Sequence, residues 1–520
     1  MNRRWGLVAI ASTAAIAIAL PSQAASPSSG RALPALSPLR ATRGSGAAIV
    51  DRTGRQVLLR GVNVNQLGDY YQANVSLAPT IPLTEDDMTA IARLGFDSVR
   101  LIVHWSKLEP QRSVVDPDEL ARIHQAVGWA AAHRLYVVLD MHQDAWGKYI
   151  ATPPNEDCPP GLQVAIGWDG APKWATITDG MTTCREQLRE ASPAVAQAWQ
   201  SFYLDRDGIQ TELVRTWAAL ARSFASDPTV AGYDLLNEPN PGLVAIGPSD
   251  LALLGRYYDR ALTAIRAAER SVPGGFSHIG FFEPMATWSA TSVGVSPEPA
   301  FTSDPNIVFA PHLYGGSITA DRSFGLDVTN VAFGFDEAAR ESARYGTTFW
   351  SGEWGWFGDP SADAARVADY GRHEDAARVG GAWWDWKQAC GDPHVVAVPN
   401  GKAQGISPSL NRFACPDQVA LGIPAPFAKV LGRAYPRAAP GSVTALTSDA
   451  GTGALDLTGS TSAVSVAAAG PLEVWVPGPA RPVLTTVVGL VRLRLIPVDG
   501  GWIVLADTAG PGPYRLGLRR

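Results

Sequence analysis

The chain has 520 residues, 43 Lys plus Arg, 49 Asp plus Glu and a formal net charge of −6. This mildly acidic balance, without a basic stripe, argues against a nucleic-acid partner. The length exceeds what one core organises, so two domains are expected.

Residues 1–24 read as a secretory signal peptide. Arg3 and Arg4 form a basic start, Leu7 to Leu20 an apolar run, and Ser22-Gln-Ala24 the small residues that cleavage needs. The run is short for a membrane span, and no later segment is long and apolar enough for one. The expected product is secreted, in the medium or at the cell envelope, after cleavage near Ala24. Residues 25–46, rich in Ser, Pro, Ala and Gly, are expected to be a disordered lead-in.

Residues 47–437 alternate strand-like and helical stretches. Strands are expected at Val57–Asn63, Ser98–Val103, Leu135–Asp140, Gly232–Leu236, His278–Phe282, Ile307–Pro311, Thr347–Ser351 and Gly381–Trp386. Helical patterns lie between most of them, as at Glu85–Leu94, Asp118–Ala132, Ile209–Ala225 and Leu251–Glu269. Eight such alternations predict an α/β fold, a (β/α)8 TIM barrel with long loops. An open doubly wound sheet is the alternative, but no glycine-rich phosphate loop follows an early strand. In residues 438–520, β-rich runs alternate with Gly/Pro turns: Ala454–Leu457, Ala463–Val466, Leu472–Val476, Val483–Val488, Val491–Ile496 and Trp502–Leu505. They predict a C-terminal all-β sandwich. It is expected to pack on the barrel as a structural domain; carbohydrate or lipid binding through Trp475 and Trp502 is the alternative.

Two glutamates stand where strands are expected to end. Glu238 follows Gly232-Tyr-Asp-Leu-Leu-Asn237 and precedes Pro239; Glu353 follows Thr347-Thr-Phe-Trp-Ser-Gly352. In a parallel-strand enzyme, catalytic groups face substrate there. Two facing carboxyls are the minimum equipment for cleaving a glycosidic bond. Strands four and seven lie across a barrel mouth, which suits Glu238 as acid/base and Glu353 as nucleophile of a retaining mechanism. Asn237 can bond a sugar 2-hydroxyl, and Pro239 is expected to keep Glu238 extended.

Asp140, His142 and Asp144 share one face if strand three continues. They could ligate a metal, but a network that orients the acid and binds sugar hydroxyls explains them, and no further His or Cys pattern completes a metal site. Neither a metal nor a cofactor is expected. Arg100 on strand two should pair with a carboxylate and keep it ionised. His312 and Tyr314 close strand six, and the Tyr314 phenol can donate to the nucleophile. Trp383, Trp384 and Trp386 close strand eight and offer faces for stacking on sugars, with at least one in the core.

None of the four cysteines, Cys158, Cys184, Cys390 and Cys415, lies in a CxxC pair. An even count in an exported chain suggests disulfides. Three pairings are open; Cys158–Cys184 and Cys390–Cys415 are favoured, because each closes a loop within one polar insertion.

Asn237-Glu-Pro239, the His312/Tyr314 pair and Glu353-Trp-Gly355 resemble, in order, the landmarks of glycoside hydrolase family 5, the retaining clan-A barrels. The resemblance spans about 50–435. Asp140-Met-His-Gln-Asp144, Gly170-Ala-Pro-Lys-Trp174 and a sandwich entered through Arg433-Ala-Tyr-Pro436 resemble its endoglycoceramidase branch, which cuts between glycan and ceramide. The resemblance implies Glu238 as acid/base and Glu353 as nucleophile. It implies Asp140, Asp144, Asn237, Tyr314 and a strand-eight tryptophan, foremost Trp386, as substrate contacts. The branch places a sugar-binding lysine just after strand one, where Val62–Tyr70 has none. A glycolipid or oligosaccharide substrate, transient contact with a membrane or micelle surface and a monomer are expected. An endo-β-glucanase or mannanase is the second reading, and an inactive carbohydrate-binding protein the third. The long Ala145–Ala175 loop, with Trp146, Ile150, Ile166, Trp168 and Trp174, is the expected lining for alkyl chains.

Overall fold

The computed structural model describes residues 33–243, 248–321, 325–396, 398–401, 403, 405–462 and 470–520. The expected signal peptide, the first part of the lead-in and the run Ala463–Val466 lie outside them.

Eight parallel strands form one sheet: β1 (Gly61–Val64), β2 (Ser98–His104), β3 (Tyr136–His142), β4 (Val230–Asp234), β5 (Ile279–Phe282), β6 (Ile307–Phe309), β7 (Ser351–Trp354) and β8 (Gly381–Trp383). Their order is β7-β8-β1-β2-β3-β4-β5-β6. A parallel bridge between Phe309 and Phe349 links β6 to the approach to β7 and closes the barrel. The Phe309 amide donates to Thr348 O at 3.2 Å, and the Trp350 amide to Phe309 O at 2.9 Å. Every residue of β2 and β3 is buried, as parallel strands covered by helices require. The helices turn apolar stripes inward: Glu85–Arg93 buries Met88 and Ile91, and Ile209–Phe224 buries Leu213, Trp217 and Leu220.

The seventh strand lies further along than expected. Thr347–Trp350 meets β6 only through the bridge, and the ladder with β8 starts at Ser351. Glu353 therefore sits within β7.

The lead-in also differs from expectation. Leu39–Ala41 pairs with Ile49–Asp51, and Arg55–Gln56 pairs with Tyr435–Pro440. These short strands join a seven-stranded sheet with Leu472–Pro477, Gly501–Thr508 and Leu490–Val498. Leu39 and Ile49 are buried against the barrel, and that burial offsets the low hydrophobicity of their surroundings. A four-stranded sheet of Ser442–Asp449, Ala454–Thr461, Gly512–Arg519 and Val483–Val488 completes the sandwich. Residues 36–520 pack as one compact unit.

The seam between barrel and sandwich is built from specific contacts. Trp475 is buried, and its indole N–H donates to Gly432 O at 3.1 Å. Gly95 has φ 95°, and a Cβ there would lie 2.1 Å from the Trp475 ring nitrogen. Tyr435 and Arg437 both donate to Gly95 O, at 2.9 and 3.1 Å. Arg60 and Arg433 share Glu374 and Asp375 in a buried ion cluster.

Candidate active site

Arg100 organises the mouth of the barrel. Its guanidinium is fully buried and reaches Asp140 (3.0 Å), Asp234 (2.9 Å), Glu283 (2.8 Å) and Glu353 (2.9 Å). It also donates to Asn63 Oδ1 at 3.1 Å and Asn237 Oδ1 at 2.9 Å. Asn63, Arg100, Asp140 and Asp234 stand on four consecutive strands, β1 to β4. Parallel register places Asn63 opposite Arg100 and Asp140 opposite Asp234. Fixing a guanidinium this way requires several acceptors, since an unpaired buried cation is costly.

Glu353 accepts from Arg100 on Oε1 and from the Tyr314 hydroxyl on Oε2 at 2.9 Å. Glu238 accepts from the Ser289 hydroxyl, faces His312 Nδ1 at 2.8 Å and lies 3.5 Å from Arg189. One carboxylate oxygen of each glutamate and a ring nitrogen of His312 all lie within 4.8 Å of one another.

Glu238 is not extended. Its φ is 39°, in the left-handed region, although Pro239 follows. Such a conformation costs about 1–3 kcal/mol and is held from outside. The Glu238 amide donates to Glu283 Oε2 at 2.8 Å, while Gln143 Nε2 donates to the carbonyls of Asn237 (2.8 Å) and Glu238 (3.1 Å). Gln143 in turn packs on Gly170, where a Cβ would sit 2.4 Å from Gln143 Cβ. The glycine of Gly170-Ala-Pro-Lys-Trp174 is thus needed for close approach to the residue that carries the Asn237–Glu238 turn.

Electrostatics separate the two glutamates. Burial pushes Glu353 up, against the pull of His312 and Arg100. Burial also pushes Glu238 up, but His312, Arg189 and Ser289 outweigh it and hold Glu238 at about 2. His312 pays a burial penalty of its own, yet Glu283, Glu353 and Glu238 lift its imidazolium well above the usual range. Between this pair, the electrostatics favour the proton on His312, in contact with Glu238. His142 goes the other way: burial keeps it neutral while Asp140 binds its Nδ1 at 2.7 Å.

A cavity of about 790 Å³ opens over these groups. His142, Asp144, Asn237, Glu238, Tyr314, Glu353 and Trp384 line it, together with Arg189, Gln388 and His394. Asp144 is gripped by Arg189, at 2.6 Å, and by His394, at 3.2 Å. Trp384 stacks on His142 with ring centroids 5.4 Å apart. Trp386 does not line the cavity: it is fully buried, its N–H donating to Asp87 Oδ1 at 3.0 Å. After β8 the chain turns it into the core, so Trp384 is the strand-eight residue at the mouth.

The expected apolar lining is also displaced. Trp146, Ile150, Ile166 and Trp168 are buried core, and Trp174 packs on Trp105 with its N–H on Glu109 O. The apolar wall of the cavity is instead Leu188, Ala191, Pro241, Ala286, Ala290, Ile318 and Phe357. Leu188 and Ile318 are 65% and 57% exposed. Among the described residues no lysine lines the cavity. Disulfides join Cys158 to Cys184 and Cys390 to Cys415. The sequence reading passed over Asn63, Asp234, Glu283, Ser289, Arg189 and His394. Glu283 carried a legible signal: Phe282-Glu283-Pro284 repeats, at the end of β5, the strand–Glu–Pro pattern of Glu238.

A family model described as cellulase (glycosyl hydrolase family 5) matches residues 50–390. The chain is 46% identical to a crystal structure of endogalactoceramidase, with TM-score 0.84, covering 92% of this chain and 99% of that one. It is 29% identical over 290 residues to endoglycoceramidase I of Rhodococcus hoagii (strain 103S), covering 53% of each. The chain thus spans about half the length of the curated relatives it matches. Endo-glycoceramidase II from Rhodococcus sp., in a cellobiose-like isofagomine complex, shares the fold at 23% identity and TM-score 0.71, covering 91% of this chain and 99% of that one.

Proposed function

This chain belongs to the cellulase family, glycosyl hydrolase family 5, and from that premise we propose that it is a retaining β-glycosidase that cleaves between the glycan and the lipid of glycosylceramides. The observation that carries the reading is the joint geometry of Glu238, His312 and Glu353, whose reactive atoms lie within 4.8 Å of one another. Carboxyls about 5–5.5 Å apart leave no room for a water between carboxylate and sugar, so the second carboxylate attacks directly.

Glu353 attacks the anomeric carbon from its Arg100- and Tyr314-bonded position while the bond to the leaving oxygen breaks. Glu238 relays to that oxygen the proton held on His312 Nδ1, and is itself left ionised. Held at about 2, Glu238 is a poor acid alone; the imidazolium beside it supplies the proton as negative charge leaves Glu353 on bonding to the sugar. In the second step Glu238 takes a proton from water, which attacks the glycosyl–Glu353 ester and releases the glycan. Asn237 supports the 2-hydroxyl, and Asp144 and Trp384 face the sugar.

The lipid part of the reading rests on the relatives named for ceramide-linked glycans and on the apolar wall of Leu188, Ala286, Ala290 and Ile318. A polysaccharide groove is lined by hydroxyl-bonding groups and aromatic faces; here Leu188, Ala191, Pro241, Ala286, Ala290, Ile318 and Phe357 add aliphatic and aromatic surface to the cavity. We infer export as well, to a compartment where the two disulfides persist, with brief docking of the exposed Leu188 and Ile318 on a lipid surface and a monomeric state. The test is a substrate panel of glycosylceramides, alkyl β-glycosides and β-glucans, with products identified by mass spectrometry. Intact ceramide plus intact glycan is expected; β-glucan fragments with untouched glycolipid would establish the polysaccharidase reading instead.

A further inference from the structure

We propose that Glu283 is a positioning residue of the hydrolytic site, the carboxylate that holds the protonated His312 and the backbone of Glu238 as one unit. Glu283 follows β5 and is 1% exposed. Its Oε1 accepts from Arg100 Nη2 at 2.8 Å and lies 3.2 Å from His312 Nε2. Its Oε2 accepts the Glu238 amide at 2.8 Å, so it pins the residue that the turn holds at φ 39°. On its other side His312 presents Nδ1 to Glu238 at 2.8 Å. The Nδ1 contact is a hydrogen bond and the Nε2 contact an ion-pair approach, and only an imidazolium presents N–H to a carboxylate on both sides. Glu283 therefore does two things at once: it keeps the site's proton on His312 and aims the carboxyl that receives it.

The charge balance around Glu283 is set from several elements. Arg100 comes from β2, Asp140 from β3, Asp234 from β4, and His312 follows β6. The Tyr258 hydroxyl, from helix Pro248–Arg270, donates to the Glu283 carbonyl at 3.0 Å and fixes the main chain. Burial, with Asp234, holds the Glu283 carboxyl well above the usual carboxylate range, although His312 and Arg100 oppose it. Yet the two groups that hydrogen-bond its oxygens, the Arg100 guanidinium and the Glu238 amide, can only donate, one to each oxygen, so the geometry favours the ionised form. Asp140 and Asp234 pair with the same guanidinium, yet neither touches His312 or the Glu238 turn in this way.

The proposal rests on the hydrolase reading, so its test has one arm with activity and one without. Glu283→Gln removes the charge and keeps the shape. On substrates with poor leaving groups kcat is expected to fall about 100-fold with KM changed less than about threefold. The alkaline limb of its pH profile should move down by about one unit. Glu283→Asp should restore the limb in part, because it restores the charge. A merely structural glutamate would move stability and leave the limb in place. The second arm follows the ring nitrogens of His312 by NMR in protein with 15N-labelled histidine. In the wild type His312 is expected to carry two protons at pH 7.5, and in Glu283→Gln to lose one near its ordinary range. This arm needs no turnover, so it decides the role of Glu283 even if no β-glycoside is hydrolysed, and the wild-type spectrum suffices if neither variant folds. A singly protonated His312 in the wild type, or a Glu283→Gln protein with an unmoved pH profile, overturns the proposal.

Discussion

Glu353 and Glu238 share one mouth but have different partners, and the difference predicts distinct mutant behaviour. Glu353→Gln removes the attacking charge while keeping the Arg100 and Tyr314 contacts within reach of an amide. Turnover should fall by roughly three orders of magnitude or more with an unchanged folded spectrum; retention of a tenth of wild-type activity would remove Glu353 from its role. Glu238→Ala should spare substrates with good leaving groups in the first step, and azide should restore their overall turnover, since a small anion can attack where the water lacks its base. Equal losses on good and poor leaving groups without azide rescue would count against the acid/base assignment. The pH dependence follows from the same contacts. Glu353 must be ionised, and burial raises it, so kcat/KM falls as pH drops through that raised value. The His312–Glu238 proton must be present, and carboxylates raise the imidazolium, so the rate also falls as pH climbs past it. A bell-shaped profile is expected, and a profile flat on its alkaline side would contradict the proton store.

Individual elements explain what was legible in the chain and what was not. The eight barrel strands were readable because buried parallel strands are short apolar runs. Glu238 and Glu353 stand out in the chain because each follows an apolar run, and the structure brings their carboxyls together at the barrel mouth. Thr347–Trp350 has strand-forming residues and reads as the seventh strand, but its backbone pairs with β6 only at one bridge, and pairing is not written in propensity. Leu39–Ala41 looked disordered because its burial comes from contacts distant in sequence. Trp384 and Trp386 could not be told apart, since the turn after β8, not strand alternation, decides which one faces the mouth. Arg189 was hidden in a long insertion whose course depends on the Cys158–Cys184 bridge and on Thr182, whose carbonyl accepts from the Ala194 amide at 3.0 Å. Replacing both Cys158 and Cys184 by Ser should destabilise this insertion by about 3 kcal/mol. Limited proteolysis within residues 150–190 should accelerate and kcat/KM should drop, because Arg189 loses its footing beside Asp144. Unchanged cleavage rates would show that the insertion is held by packing alone.

The molecule as a whole combines a buried seam with an open mouth. At the seam Asp97 is pushed up to about 7 by burial, against Arg437 and Arg60. A folded carboxyl at about 7 against an ordinary 3.8 contributes stability that is complete below the ordinary value and is lost as pH rises through 7. The wild-type Tm should therefore decline between pH 4.5 and 8, and Asp97→Asn should flatten that decline by about 4 °C; parallel curves would reject the seam as its origin. At the mouth, each methylene entering the apolar wall is worth about 0.8 kcal/mol, or about fourfold in kcat/KM. Alkyl β-glycosides below their critical micelle concentrations should show that rise. Ile318→Ser or Leu188→Ser should reduce it, whereas Trp174→Ala, half-buried against the core and away from the cavity, should not. The most direct measurement is NMR of glycosylceramide digestion, following which anomer of the free glycan appears first. The two-carboxylate account predicts the intact glycan as its β-anomer, with ceramide released in equal amount. First appearance of the α-anomer, or no glycan from a glycolipid that the folded protein binds, would contradict it.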